Sequence, residues 1–589
     1  MSFGPVQARW SLHELLPGPA DPAVEGYLAR LETIVAEIEA TRGTLSPSPS
    51  VTEFLNLLQR FEAATSILAR LGAYAYLWFA EDTQNTAALD MRGRIEQVLA
   101  QMSNRILFFS LWFKALPDDA ASRLIAASGR MHYYLESLRR FTPHTLSEPE
   151  EKIITLKDIN GIEALVKIYE MITSRFSFTI DVQGEKKTLT RDGVTALYRH
   201  PSPEVRAGAY REIFRVYGEN ATVLAQIYMH RVRDWRTEAL ELRGYREAIA
   251  ARNLANDIPD AAVDTLLTVC RQNVGVFQRY FSLKARWLGV DRLRRYDVYA
   301  PLASSDKHYE YAEAVELTLS SLRGFAPLLA DAAERVFAQE HVDSQMRHGK
   351  RGGAFCYGVL PELAPWVLVN YAGRARDVTT LAHEIGHAVH STMAAGQSIL
   401  TYHPSTPLAE TASVFSEMLL TDRLLRDERD PMVRREILAR AVDDAYATVL
   451  RQAYFTLFER DAHRMIAESR PVESLCAHYL ENLREQFGEA IALSDDFSWE
   501  WITIPHIYNS PFYTYSYSFG QLLVLALYSR YRVEGASFVP KYLQILAYGG
   551  SEAPATILSE AGLDISSPSF WQGGFDVLRG MIEELEAIG

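Results

Sequence analysis

The amino-acid sequence predicts a mainly α protein, and three observations carry that prediction. Apolar residues recur at three- and four-residue steps over most of the chain. Only two stretches depart from that period, and both are short. No unit of solenoid length repeats. At 589 residues the chain is longer than one hydrophobic core serves, so two or more lobes are expected. With 48% hydrophobic and 23% charged residues it has ordinary globular composition and ample apolar material for those cores.

The first helix is read over 22–42, where Leu28, Leu31, Ile34, Val35 and Ile38 share a face. The same period runs near 52–80, 85–115, 118–140 and 147–175. Phe176, Phe178, Ile180 and Val182 then alternate with polar residues, Gly184 follows, and 186–190 resumes. That pattern predicts a β-hairpin. Helical period returns over 203–240, 261–287 and 309–338. The second departure is 344–371, punctuated by Gly349, Gly352, Gly353 and Gly358 and ending in a β-prone run at 366–370. It predicts a small sheet just before the helix that carries the chemistry. Further helices are read near 430–468 and 471–487. No long Pro/Ser linker interrupts the chain, so the lobes are expected to pack tightly.

Charge and cysteine content exclude several classes. Acidic residues outnumber basic ones by 74 to 60, a net charge of -14, which argues against nucleic acid as a partner. The longest basic cluster, Arg347, Lys350 and Arg351, is short and Gly-rich. Cys270, Cys356 and Cys476 lie far apart without a CxxC, so neither a disulfide framework nor a cysteine metal site is expected. The N-terminal MSFGPVQARW lacks the basic and apolar regions of a leader. The longest uncharged stretch, 501–529, is broken by Pro505 and Pro511 and crowded with Tyr, Ser and Asn, so no membrane span is expected. The expected compartment is reducing and cytoplasmic.

The segment that carries chemistry reads Thr379-Thr380-Leu381-Ala382-His383-Glu384-Ile385-Gly386-His387-Ala388-Val389-His390 and contains HExxH. Residues four apart on a helix lie one above the other, so His383 and His387 present two imidazoles on one face, spaced for a single zinc ion. Glu384 adjoins the first histidine and can serve as base toward a water at the metal. His makes up 15 of 589 residues; with Glu at roughly 7%, chance supplies about 0.03 such motifs in this length. The alternative is a helix with two unrelated histidines and a solvated Glu. Leu381, Ala382, Ile385, Ala388 and Val389 argue against it, because they bury the helix and buried histidines need partners.

A catalytic zinc takes three protein ligands and keeps an open position. Glu410 lies 22 intervening residues beyond His387, enough for one helix to end, a loop through 397–407, and an antiparallel return. It is read near the start of the next helix as the third ligand. Glu417, seven residues on, returns to nearly the same face and is read as the partner that orients a ligand histidine. Each has a plainer reading, Glu410 as a helix N-terminal acid and Glu417 as a surface residue. His390 is read as packed rather than ligating, since a fourth protein ligand would close the open position.

HEIGHAVH with Glu410 and Glu417 resembles the thimet-oligopeptidase group of metallopeptidases, and within it oligoendopeptidase F. GKRGGAF at 349–355, NYAGRARDVTTLAHEIGHAVHS at 370–391 and HIYNSPFYTYSYSFGQLL at 506–523 resemble its core signatures. EPEEKIITLKDINGIEALVKIYEMI at 148–172 and RAGAYREIFRVYGEN at 206–220 resemble its upstream regions, so the likeness covers most of the chain from about 140 onward. It implies a two-lobed helical zincin peptidase with a deep channel and a small β-sheet beside the HExxH helix. It implies an N-terminal helical region over 1–112, an oligoendopeptidase F-like lobe over 113–195 ending in the hairpin, and a catalytic domain over 196–589. One Zn2+ per chain and short peptide substrates follow, with Gly352, Gly353 and Ala354 offering a strand edge to the peptide backbone.

The resemblance also gives a His and Tyr residues of the 506–523 segment the task of stabilising the oxyanion. His506 fits the histidine. Tyr513, Tyr515 and Tyr517 alternate, so an extended segment pairs two of them and a helix pairs Tyr513 with Tyr517. Tyr517 aligns best with the family pattern, although SFG at 518–520 stands where a smaller run is expected. Tyr513 is read as substrate-binding. The activity implied is internal cleavage of short unfolded peptides, with a zinc carboxypeptidase or aminopeptidase on a related helical fold as the alternative.

Overall fold

The structure, a computed structural model, describes residues 6–18, 22–302 and 307–588. The first five residues, on which the reading of the N-terminus partly rests, lie outside the described residues. Helices dominate, as the apolar period predicts.

Local chemistry explains where many of them start. Ser50 opens the Val51–Glu81 helix: its hydroxyl accepts from the Glu53 N–H at 3.2 Å, while the Glu53 carboxylate accepts from the Ser50 N–H at 3.4 Å. Several patterns read as single helices are two. The 147–175 pattern divides into Glu148–Asn160 and Ile162–Ser174 at Gly161. The 309–338 pattern divides into Tyr311–Phe325 and Pro327–Ala338, because Pro327 lacks the N–H that would continue the helix. Breaks also fall at Asn220 and Asn273. Apolar period survives such breaks, since each piece still turns one face to the core.

The hairpin pairs Phe178–Val182 antiparallel with Glu185–Leu189, and Val182 faces Glu185 across the loop. Gln183 and Gly184 both take left-handed φ, 59° and 88°, as a two-residue loop with the twist of its strands requires. The small sheet has the order Val342–Asp343, Trp366–Leu368, Phe355–Tyr357, its first pairing parallel and its second antiparallel. Trp366–Leu368 is wholly buried, and Phe355–Tyr357 forms an edge that packs against the Ala375–Met393 helix. A further parallel pair joins Leu293–Arg294 to Ile491–Ala492; two residues per strand leave no period to read.

The chain forms two compact units, each assembled from separated segments. The first comprises Met1–Thr142, Asp306–Asp427 and Arg530–Asp564, with Leu58, Leu71, Phe109, Phe113 and Trp366 in its core. The second comprises Pro143–Ser305, Glu428–Ser529 and Ile565–Gly589. Its interior holds large aromatics, among them Tyr228, Tyr280, Tyr446 and Trp501, and several buried ion pairs. No described helix is long and apolar enough to cross a membrane. All three cysteines are free.

One of those ion pairs yields a stability prediction. Lys284 Nζ lies 2.8 Å from Asp443, whose carboxylate also accepts from Tyr280 Oη at 2.8 Å. Asp443→Ala leaves a buried ammonium without its counter-ion and is expected to cost about 3–5 kcal/mol, whereas Lys284→Met with Asp443→Leu falls closer to wild type. Urea midpoints of the two variants check this.

Candidate metal centre

The Ala375–Met393 helix starts where the Asp377 carboxylate accepts from the backbone N–H groups of Arg374 at 3.0 Å and Ala372 at 2.9 Å. An acid in the first turn also suits the helix dipole. Val378, Leu381, Ala382, Ile385, Ala388 and Val389 bury one side of the helix. His383 and His387 share the adjoining face, ring centres 4.8 Å apart and planes nearly perpendicular.

Gly386 sets what can approach. A Cβ there would lie 2.5 Å from Ser413 Cα and 2.6 Å from the Ala412 carbonyl oxygen. Only a residue without a side chain lets the two backbones come this close. Glu410 therefore reaches the histidines from a 3-10 segment, Thr406–Thr411, and not from the next helix, which begins at Ser413. This departs from the sequence reading, which put Glu410 near the start of that helix. The Leu408 N–H donates to the Ser405 carbonyl at 2.9 Å and closes the 3-10 turn, with Pro407 in its first turn.

Glu410 Oε2 stands 3.4 Å from His383 Nε2 and 3.6 Å from His387 Nε2, and accepts from Ser413 Oγ at 2.6 Å. The three ligand atoms all lie within 4.8 Å of one another. Tetrahedral ligands about 2.0–2.1 Å from one zinc ion stand roughly 3.3–3.4 Å apart. Two imidazoles and a carboxylate at this spacing fit such an ion. His383 Nδ1–H donates to Glu417 Oε1 at 2.5 Å, which fixes the ring with Nε2 facing Glu410. A ring N–H of His387 donates to the Ala409 carbonyl.

Burial and charge tune these groups in opposite directions. Burial lowers His383, but its hydrogen bond to Glu417 and the charges of Glu417, Glu410 and Glu384 outweigh burial and raise it to about 9. Three carboxylates converging on one ring make a field that favours a cation. Burial pulls His387 down toward the neutral form that ligates a metal. Burial pushes Glu384 up to about 7, against a backbone hydrogen bond from Cys356 that favours its charged form. His390 is buried 3% exposed and pulled down by burial to about 3.

A cavity of about 620 Å³ opens onto the centre, lined by Ala354, Phe355, Gly358, His383, Glu384 and His387 among others. Gly353 has φ +80°, a conformation that favours glycine, whereas a Cβ at Gly352 would meet open space. Asn370 Nδ2 donates to the carbonyls of Arg351 at 3.1 Å and Gly353 at 2.8 Å and holds this loop in front of the edge strand.

His506, Tyr513 and Tyr517 belong to the second unit and gather into one cluster there. The His506 ring is parallel to Tyr513 at 6.4 Å, and Tyr517 stands perpendicular to both, with its Oη 3.5 Å from His506 Nε2. Tyr515 points elsewhere: its fully buried hydroxyl accepts from Asn256 Nδ2 at 2.8 Å. Tyr513 and Tyr517 face each other, the pair the sequence reading gives a helix, although Tyr513 precedes the helix that begins at Tyr515. Sequence reasoning missed Ser413, Ala409 and the Cys356 backbone. Ser413, three residues past Glu410, carried a usable signal; two backbone groups carry none.

A His2Glu donor set beside a buried carboxylate, on a mainly helical scaffold, is metallopeptidase chemistry, and the protein is a metallopeptidase. Residues 196–577 match the family model for peptidase family M3, and the chain belongs to that family. Residues 112–178 match the model described as oligopeptidase F. Oligopeptidase PepF of Bacillus subtilis (strain 168) is 25% identical over 588 residues, covering 98% of this chain and 87% of that protein. Group B oligopeptidase PepB of Streptococcus agalactiae is 28% identical over 549 residues, 90% of either chain. A solved structure from Chlamydophila abortus is 26% identical with a TM-score of 0.89, covering 99% of this chain and 98% of that one. Oligoendopeptidase-F from Enterococcus faecium shares the fold at 23% identity and a TM-score of 0.72, covering 96% and 99%.

Gly386→Ala forces backbone against backbone at Ser413. Overpacking of this kind is expected to cost about 1–3 kcal/mol. Thermal unfolding of the variant, compared with Gly396→Ala, where a Cβ meets open space, checks it.

Proposed function

We propose that this protein is a zinc-dependent endopeptidase that cleaves internal bonds of short unfolded oligopeptides in the cytoplasm. The observation that carries the reading is the buried Glu384 carboxylate next to a donor set spaced for one zinc ion, in a cavity bordered by a strand edge. Relatives named as oligopeptidases support the substrate class. The division into 1–112, 113–195 and a catalytic 196–589 is part of the same reading.

His383 Nε2, His387 Nε2 and the Glu410 carboxylate hold one Zn2+ per chain. Zinc held there supplies Lewis acidity and makes water nucleophilic near neutral pH. Glu417 fixes the tautomer and orientation of His383. The backbone of Gly352, Gly353 and Ala354 pairs with the extended substrate. Glu384 takes a proton as the water oxygen bonds to the scissile carbonyl carbon. It then returns that proton to the amine nitrogen as the C–N bond breaks. His506 and Tyr517 donate to the carbonyl oxygen as charge develops on it, and Tyr513 contacts the substrate. Loss of one such donor costs roughly 100-fold or more in turnover.

A library of short peptides blocked at both ends tests the reading. Internal cuts that vanish with a zinc chelator and return with zinc are expected. Trimming confined to free termini would move the assignment to an exopeptidase. Glu384→Gln is expected to keep its zinc and lose about 10²–10⁴-fold in kcat; near-wild-type turnover would remove Glu384 from its role. Glu417→Gln is expected to weaken zinc binding about 10–100-fold, measured by chelator competition.

A further inference from the structure

The cluster of His506, Tyr513 and Tyr517 depends on a tight turn. His506 lies on the short helix Pro505–Asn509, and Tyr517 on the helix Tyr515–Glu534. Between them Phe512 takes φ +58°, a left-handed conformation that a bulky side chain rarely adopts. Such strain persists only where surrounding groups hold it, and it concentrates at functional sites.

One face of the Arg451–Ala467 helix does the holding. Glu459 Oε1 accepts from the Phe512 N–H at 2.8 Å, with both groups buried. Thr456, one turn earlier, shares a hydrogen bond of 2.8 Å with the Thr514 hydroxyl. His463, one turn later, packs its ring against Phe512 with centres 4.5 Å apart. Arg252 secures the other side of the turn, donating to the Pro511 carbonyl at 3.1 Å and to Ser510 Oγ at 2.8 Å. Glu459 has no exposed surface, and its Oε2 makes no hydrogen bond with a described residue. Burial raises this carboxyl to about 8, so near neutral pH it is mostly the uncharged acid. A carboxyl sealed in an interior is costly when apolar side chains could fill the space. Its one hydrogen bond here comes from the N–H of the strained residue preceding Tyr513, while His463 Nε2 lies 4.0 Å from the same oxygen and Arg252 and Arg231 act on it only through their charge.

We propose that Glu459 is a positioning residue: its buried carboxyl anchors the left-handed turn at Phe512 and thereby sets Tyr513 and Tyr517 against His506. Its effect on turnover rests on the role proposed above for His506 and Tyr517; its effect on the geometry does not.

Both parts are tested on the full chain. Glu459→Gln keeps a side-chain carbonyl in place of the neutral acid and is expected to behave as wild type. Glu459→Ala is expected to lower kcat about 10- to 100-fold while KM changes less than about threefold, with zinc content unchanged. If the alanine variant fails to fold, Glu459→Asp, which withdraws the acceptor by one methylene, replaces it. In the double variant with Tyr517→Phe the two losses should not multiply, because Glu459 acts through that tyrosine. Multiplying losses, or wild-type kcat in a folded Glu459→Ala protein, would overturn the kinetic part.

The geometric part is read by ¹⁹F NMR on protein labelled with 3-fluorotyrosine, with the Tyr513 and Tyr517 signals assigned by Phe substitution. Glu459→Ala should shift both signals, and Glu459→Gln should leave them in place. Unmoved signals in Glu459→Ala would overturn the positioning role whatever the kinetics. Wild-type turnover in Tyr517→Phe alone would instead remove that tyrosine from the reaction, and the NMR result would still decide the turn.

Discussion

A hydrogen atom at Gly386, where every other residue type has a side chain, is the constraint on which the candidate metal centre depends. A Cβ at that point would stand 2.5 Å from Ser413 Cα. Its absence lets the chain return directly over the histidines. Glu410 arrives within 3.4–3.6 Å of both Nε2 atoms, and Glu417 arrives at 2.5 Å from His383 Nδ1. Small displacements matter here because a tetrahedral ligand set tolerates errors of only about 0.2 Å. The buried apolar face of the helix supplies the force that closes the packing, and the glycine sets how far it closes.

Burial then moves titratable groups away from their ordinary chemistry. Glu384, beside His383, is raised to about 7 by desolvation. The same desolvation drives His387 toward its neutral form. Low dielectric strengthens the pull of the carboxylates on a cation at the same time. In the second unit, burial turns Glu459 into a mostly uncharged acceptor for a backbone N–H. One physical effect thus moves Glu384, His387 and Glu459 each toward its uncharged form.

Relatives retain this arrangement of helices at about a quarter identity. The structure from Chlamydophila abortus superposes with a TM-score of 0.89 at 26% identity. Helical cores accept extensive exchange among apolar residues when volume and pattern are kept, so the scaffold outlasts most of its sequence. Contacts between backbones, such as that at Gly386, accept far less.

The sequence by itself determined the helical class, the hairpin at 178–189 and the helical face that pairs His383 with His387, because these follow from periodicities of two and of 3.6 residues. The family was legible too, since its motifs lie in continuous segments. Breaks at Gly161, Asn220 and Asn273 were not legible, because apolar period continues through a bend, whereas Pro327 carried a signal for the break at Ala326. The 3-10 turn that carries Glu410 was decided by tertiary structure, as was the hydrogen bond with Asn256 that takes Tyr515 away from His506. So were the distance between the Gly386 and Ser413 backbones and the hold of Glu459 on Phe512. The physical reason is range: periodicity is written within a few neighbouring residues, whereas the partners of a carboxylate and its loss of water depend on segments far apart in the chain.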